Sequence, residues 1–333
     1  MNARKRFSHA VILMGGLLCA APLHAQAVLG QQARLSDQEI DEIRAAIREL
    51  DGRVIIGFKP ENERRGVAAD GSSLLSEQQV ANQQSALEIR GITILRSFRI
   101  VPAVTARIDP AELESLLADP SIDYVEPDRI VFNVPIIESG PSSLLSAQDT
   151  QQVPWGITRI ATTEAWTITK GSGGKLGIID TGIDEDHPDL NVLRGVNFVT
   201  GDTTRSGWTD DGPCGGHGTH VAGSSAALDN TIGVVGVAPE ADVYALKVFD
   251  IANGHCGAYT SDSNAAIEKA VEWELDVVNL SLGGSWPSIS ASDLYTAAWA
   301  SGLVIVASAG NSYAQVGYPG GYPHAIAVAA THD

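Results

Sequence analysis

Basic residues are scarce in this chain: 22 Lys and Arg stand against 40 Asp and Glu, for a net charge of −18. Polyanions bind through cationic side chains that displace counterions, so this balance argues against a nucleic-acid partner, while it suits solubility and cation binding. Long apolar runs are missing too. No segment reaches the roughly 20 apolar residues that a spanning helix requires, which argues against embedding in a membrane. There is no internal repeat and no low-complexity tract. Cysteine occurs three times, at Cys19, Cys214 and Cys256.

What is present begins with a leader. M-N-A-R-K-R, then A-V-I-L-M-G-G-L-L-C-A-A and L-H-A-Q-A, supply the basic, apolar and small-residue blocks of a secretory signal over residues 1–27, with cleavage expected near Ala25 or Ala27. Bulky Leu18 before Cys19 disfavours lipid attachment there. The protein is therefore expected to be exported, secreted or periplasmic. An oxidising compartment permits Cys214 and Cys256 to pair, with two free buried thiols as the alternative.

After the leader, 44% hydrophobic and 19% charged residues in a chain of 333 suit two folded units with full cores. Ser36, Asp37, Gln38 and Glu39 form a capping box opening an amphipathic helix to about Leu50, an N-terminal extension over 28–52 of no evident chemistry. Over 53–132 the pattern changes. R-V-I-I-G-F-K predicts a strand, L-L-S-E-Q-Q-V-A-N-Q-Q-S-A-L-E-I a helix, I-T-I-L-R-S-F-R-I and A-V-T-A-R-I two strands, D-P-A-E a capped helix start, and 122–125 a last strand. That βαββαβ order is ferredoxin-like. A Ser-, Gln-, Pro- and Gly-rich linker comes next over 133–150, where a protease would cut. From 151 to 333, K-L-G-I-I-D, D-V-Y-A-L-K-V-F, D-V-V-N-L-S-L, L-V-I-V-A-S-A-G and A-I-A-V-A-A recur with helices between, expected at 265–274 and 292–300. This alternation predicts an α/β domain with a doubly wound parallel sheet.

Ligands collect at the carboxyl ends of the strands in such a sheet. There stand Asp180-Thr181-Gly182, Ser281-Leu282-Gly283-Gly284 and Ala309-Gly310-Asn311, while G-G-H-G-T-H-V-A-G sets His217 at the start of a small-residue helix. A carboxylate at a strand end and an imidazole at a helix start are the acid and base of a nucleophilic triad, in which Asp fixes the His tautomer and stabilises the imidazolium. Zinc is a rival for His217 and His220, but no third ligand at a recognisable spacing accompanies them, and His220 is expected to be a hydrogen-bonded core histidine. An aspartic protease also uses a D-T-G turn, to hold one of two carboxylates that share a proton. That mechanism needs a second such turn or a symmetric dimer, and this chain has a single D-T-G.

Taken in order, G-I-I-D-T-G-I-D, G-H-G-T-H-V-A-G, V-V-N-L-S-L-G-G, I-V-A-S-A-G-N and G-Y-P resemble the subtilisin family of serine endopeptidases over about 151–333, and 53–132 resembles that family's inhibitory and chaperoning propeptide. The resemblance implies a subtilisin-like fold in which Asp180 orients the base, His217 is the base and the Asn311 side-chain amide donates to the oxyanion. It implies that Ser281, Leu282, Gly283 and Gly284 pair with the substrate backbone. Ser308, Ala309 and Gly310 would wall the primary specificity pocket, and Gly317 at its base would leave room for a large apolar residue. Calcium is implied as a structural cofactor, held by the side chains of Asp189 and Asn230, the carbonyls of Leu228, Ile232 and Val234, and Gln151, an oxygen shell suited to a hard cation. A Cys214–Cys256 disulfide beside the cleft is implied as well. So are polypeptide substrates and the chain's own propeptide as partners of a monomer, with processing within 131–148.

The family's nucleophilic serine lies in a G-T-S-M-A-type turn, and neither that string nor a G-x-S-x-G elbow occurs here. Ser281 and Ser308 match substrate-wall positions. The expectation is an exported zymogen, C-terminally incomplete and truncated before its serine, inactive and poorly folded as residues 1–333. A non-catalytic binding module on a degenerate protease scaffold is the alternative.

Overall fold

The computed structural model describes residues 35–59, 77–133, 150–210, 212, 214–252, 255–311 and 315–331. The expected signal at 1–27 and nearly all of the linker at 133–150 lie outside them. Ser36 opens α1 (Asp37–Glu49) through the capping box: its hydroxyl accepts the Glu39 N–H, and the Glu39 carboxylate accepts the Ser36 N–H. The helix is more than an extension, because Ile40, Ile43 and Ile47 pack into the core of the unit that it precedes. That unit comprises β1 (Arg53–Phe58), α2 (Glu77–Ile89), β2 (Thr93–Ser97), β3 (Ala103–Arg107), α3 (Leu113–Leu117, after a 3-10 turn at Pro110–Glu112) and β4 (Ile122–Pro127). Its strands pair antiparallel in the order β2-β3-β1-β4, the ferredoxin-like arrangement.

R-V-I-I-G-F reads as a continuous apolar run because both faces of β1 are covered. Val54, Ile56 and Phe58 pack with Leu87 of α2 and Leu113 and Leu116 of α3. Ile55, with Ala103 and Tyr124, joins a second core that contains Ala265, Ala266, Leu294 and Tyr295.

Those last residues belong to the larger part of the chain. After β5 (Ile130–Asn133), which closes the smaller unit, it runs α4 (Trp155–Arg159), α5 (Thr162–Ala165), β6 (Lys175–Asp180), β7 (Val192–Asn197), α6 (Arg205–Trp208), α7 (His217–Ala226), β8 (Asp242–Lys247), β9 (Asp250–Ala252), β10 (His255–Tyr259), α8 (Thr260–Glu272), β11 (Val277–Leu280), β12 (Leu282–Gly283), α9 (Ile289–Ala300), β13 (Val304–Ser308) and β14 (Ala325–Val328). Six strands form a parallel sheet in the order β14-β13-β11-β6-β8-β7. Ala222 and Ala226 of α7 pack against Ile178, Val243 and Ala245 on one face. On the other, α8 and α9 lay Ala266, Ala270, Leu294 and Ala298 against Ile179, Leu246, Val278 and Ile305. The sheet is thus doubly wound, as the alternation of elements predicts. β11 and β13 alternate buried with half-buried positions, so the face carrying Val304 and Val306 is the less covered one.

Candidate active site

Asp180 is the last residue of β6, in the interior of the parallel sheet and fully buried. His217 is the first residue of α7, reached through Gly216 at φ 96°. The imidazole Nδ1 lies 2.7 Å from Asp180 Oδ1, which also accepts the Thr181 N–H at 2.7 Å. A carboxylate only accepts, so Nδ1 carries the proton and Nε2 of the neutral ring keeps its lone pair. That is the tautomer of a general base. Burial pushes the Asp180 carboxyl up, and the hydrogen bond from His217 opposes the shift. The partner of Asp180 is an imidazole rather than a second carboxylate, unlike the shared-proton pair of an aspartic protease.

Close packing sets this geometry. The Gly218 N–H donates to Thr181 Oγ1 at 2.8 Å, and a Cβ on Gly218 would lie 2.1 Å from the Gly182 carbonyl oxygen, so only glycine fits after His217. Asp210 holds the same turn from another side, its Oδ2 accepting from the N–H and hydroxyl of Thr219 at 2.8 and 2.6 Å. Thr181 and Asp210 are supports that sequence reasoning missed; the threonine of D-T-G, inside the motif that carries Asp180, was the available signal. His220 departs from expectation. It is exposed, because the side of α7 that carries Gly218 and Ala222 is the buried one, and His220, two positions from each at about 100° per residue, points away from both.

Beyond the ends of β11 and β13 the residues expected to meet a substrate lie together. Gly284 and Tyr318 exchange backbone hydrogen bonds at 2.8 Å each way, and Ser308 Oγ donates to the Leu282 carbonyl at 2.8 Å. The Gly317 N–H donates to Ala309 at 3.2 Å, and a Cβ on Gly317 would lie 3.1 Å from the Gly284 carbonyl oxygen. Ser281 Oγ accepts the Asn279 amide at 2.9 Å. Gly310, at φ 91°, and exposed Asn311 come after β13. Into this wall fits β5, antiparallel on both edges, with Phe132 opposite Gly283, Val131 opposite Ala258 and Ile130 opposite Tyr259. Cys214 and Cys256 form a disulfide, Cα–Cα 5.6 Å, which ties the turn before His217 to β10.

A second cluster gathers most of the residues expected to hold a cation. Asn230 Nδ2 donates to Asp189 Oδ1 at 2.6 Å, and Gln151 Nε2 lies 2.6 Å from the Leu228 carbonyl and 3.3 Å from that of Val234. Ile232 enters through its N–H, which donates to Asn230 Oδ1 at 2.8 Å. Turning the Gln151 amide over exchanges its nitrogen for oxygen, whereas Asn230 already presents its Oδ1, which the Ile232 N–H engages. The donor set then offers one carboxylate, amide oxygens and carbonyls, which fits a hard cation and no softer one.

The subtilase family model matches residues 171–333, and the peptidase inhibitor I9 model matches 53–132. The alkaline protease of Alkalihalobacillus alcalophilus is 37% identical over 295 residues, covering 87% of this chain and 69% of that protein. This chain belongs to the subtilase family. Subtilisin E of Bacillus subtilis (strain 168) is 38% identical over 290 residues, 84% of this chain and 66% of its own. Among solved structures, fervidolysin from Fervidobacterium pennivorans, a keratinolytic enzyme related to subtilisin, superposes with a TM-score of 0.63 at 25% identity, covering 83% of this subtilase and 42% of the fervidolysin chain. The family is that of serine proteases preceded by an inhibitor domain, so the single D-T-G of this subtilase is not an aspartic-protease turn.

Proposed function

We propose that the protein is an exported zymogen that hydrolyses peptide bonds through an acyl-enzyme, with Asp180 and His217 as orienting acid and general base for a serine hydroxyl. The observation that carries this reading is the buried Nδ1–Oδ1 contact of 2.7 Å beside a groove already occupied by an extended strand of the same chain. Ser281 and Ser308 match substrate-wall positions, and Ser308 Oγ donates to the Leu282 carbonyl; neither is proposed as the nucleophile, and no other serine of residues 1–333 is assigned that role. Asn311 would donate to the oxyanion, and Gly317 would leave the pocket base open to a large apolar side chain. β5 holds the groove in the manner of strand addition, so residues 35–133 act as the intramolecular inhibitor until cut. Assayed as the product of its complete reading frame, the matured protein should cleave casein, lose that activity to a serine-directed phosphonate and ignore a pepstatin-type inhibitor. Absence of cleavage and of phosphonate labelling would overturn the reading.

Asp189, Asn230, Gln151 and the carbonyls of Leu228, Ile232 and Val234 would hold calcium, which ties the segment at 151 to the loop after α7. At a concentration 100 times its Kd, a bound ion stabilises by about 2.7 kcal/mol. For a domain of this size that corresponds to roughly 5–10 °C in Tm. The shift between calcium and EDTA should vanish in Asp189→Ala; a variant that keeps it would remove calcium from these residues.

Docking of the inhibitory unit should depend on pH. Asp262 at the start of α8 pairs with Arg96 at 2.8 Å, yet burial pushes its carboxyl up to about 7, with Arg96 and Arg53 opposing and Asp128 reinforcing the shift. Burial pushes Glu126, Asp128 and Glu268 up as well. A carboxyl with a raised pKa in the docked state binds its proton more tightly there, so its contribution is complete below the ordinary value near 4 and is lost as pH rises through about 7. Urea-induced release, followed by tryptophan fluorescence in the uncleaved zymogen, should therefore need less urea at pH 8 than at pH 5. Asp262→Asn should flatten that difference, and an unchanged slope would assign the dependence elsewhere.

A further inference from the structure

The groove has an aromatic ring at the end where the inhibitory strand enters, and the proposed chemistry leaves it unused. Trp286 lies just beyond β12 with 57% of its surface exposed. The guanidinium of Arg129 lies over its ring, 4.3 Å from the centroid. Arg129 directly precedes β5, and its carbonyl accepts the N–H and hydroxyl of Thr260 at 2.8 and 3.0 Å. Its backbone is therefore fixed by the same edge that holds β5.

We infer that Trp286 is a specificity-determining platform: a polypeptide taking the place of β5 sets a side chain over this ring, three positions before the residue opposite Gly283, and a cationic side chain is favoured there. The inference rests on the protease reading above. Strand addition reproduces register through backbone hydrogen bonds whatever the side chains, so Arg129 stands in for the substrate residue at that place. A cation over an indole face is drawn to the ring quadrupole, and a planar guanidinium also stacks, which favours Arg over Lys. Glu42, Glu49 and Glu126, the carboxylates acting on Arg129, all belong to the inhibitory unit. Once that unit has gone, the indole is the groove's own contribution.

The test uses the matured product of the complete reading frame and two internally quenched peptides that differ only in Arg or Gln at this position. Wild type should prefer the Arg peptide in kcat/KM by about 2- to 5-fold, the range for a cation on a partly exposed ring. The ratio should fall to about one in Trp286→Ala, and also in Trp286→Leu, which keeps apolar bulk without the quadrupole. No preference in wild type, or one that survives in both variants, overturns the platform. Should neither peptide be cut, the protease reading has failed and the platform is decided separately, by a double-mutant cycle of Arg129→Gln and Trp286→Ala on urea-induced release of β5 in the uncleaved zymogen. Coupling of about 2- to 5-fold supports it, and additivity overturns it.

Discussion

Replacing His217 with alanine should lower kcat for peptide hydrolysis by about 10⁶-fold, the magnitude known for loss of the histidine in subtilisin, and Asp180→Asn by about 10⁴-fold, the magnitude known for that substitution in another serine-protease triad. The difference between the two arises from the contacts. Without His217 nothing takes the nucleophile's proton, whereas the amide introduced by Asp180→Asn could still offer its oxygen to Thr181 and to Nδ1 in the position Asp180 Oδ1 now holds. What Asp180→Asn removes is the negative charge that stabilises the imidazolium formed during the reaction, and an amide whose NH2 donates to Nδ1 also selects the wrong tautomer. Kinetics on one peptide substrate, with circular dichroism to verify folding, measure both. Retention of more than about a hundredth of wild-type kcat by His217→Ala would mean that the imidazole is not the base.

The meeting of Asp180 and His217 was legible in the sequence because their placement is enforced locally. Asp180 ends a strand of the parallel sheet, His217 begins a helix, and the short contact across them admits no side chain at Gly218. Each constraint leaves a mark within a few residues of the group it serves. The ferredoxin-like order and the doubly wound sheet were legible for a similar reason, since apolar periodicity records which faces are covered.

What the sequence hid depends on distant partners. α8 begins at Thr260 rather than Ala265 because Asp128, far back in the chain, accepts the Ser261 N–H and hydroxyl at 2.9 and 2.7 Å. α9 begins at Ile289 rather than Ser292 because Ser288 and Glu126 together cap it. The share of a cap that comes from another domain, Asp128 for α8 and Glu126 for α9, carries no local signature, whereas Ser288 is a local N-cap that the sequence reading passed over. The burial of Ile40 and Ile47 beside β1 was hidden in the same way. The role of Trp286 was illegible because it depends on which residue of β5 the register brings over the ring.

Glu126→Ala should loosen the inhibitory unit by between about 30-fold and several-thousand-fold, the range for removing one side of a buried, hydrogen-bonded charge across an interface. Its Oε2 accepts the Ile289 N–H at 2.7 Å, and its Oε1 accepts the Ser290 N–H at 3.1 Å and the hydroxyls of Ser288 and Ser290 at 2.8 Å each. The two hydroxyls also lie 2.9 Å from one another, so they keep a partner when the carboxylate goes. The two N–H groups do not, and they sit at the positive end of α9, where a carboxylate gains most. Undocked, both would meet water, so the loss falls on docking rather than on the catalytic fold. Glu126→Gln separates charge from hydrogen bonding: it keeps an acceptor oxygen, and burial already pushes the native carboxyl toward its neutral form. Its effect should therefore lie well below that of alanine. Urea-induced release of the unit in the uncleaved zymogen orders the three proteins, and an alanine effect under about 3-fold would mean that the apolar contacts of Ile55, Ala103 and Tyr124 hold the unit without this cap.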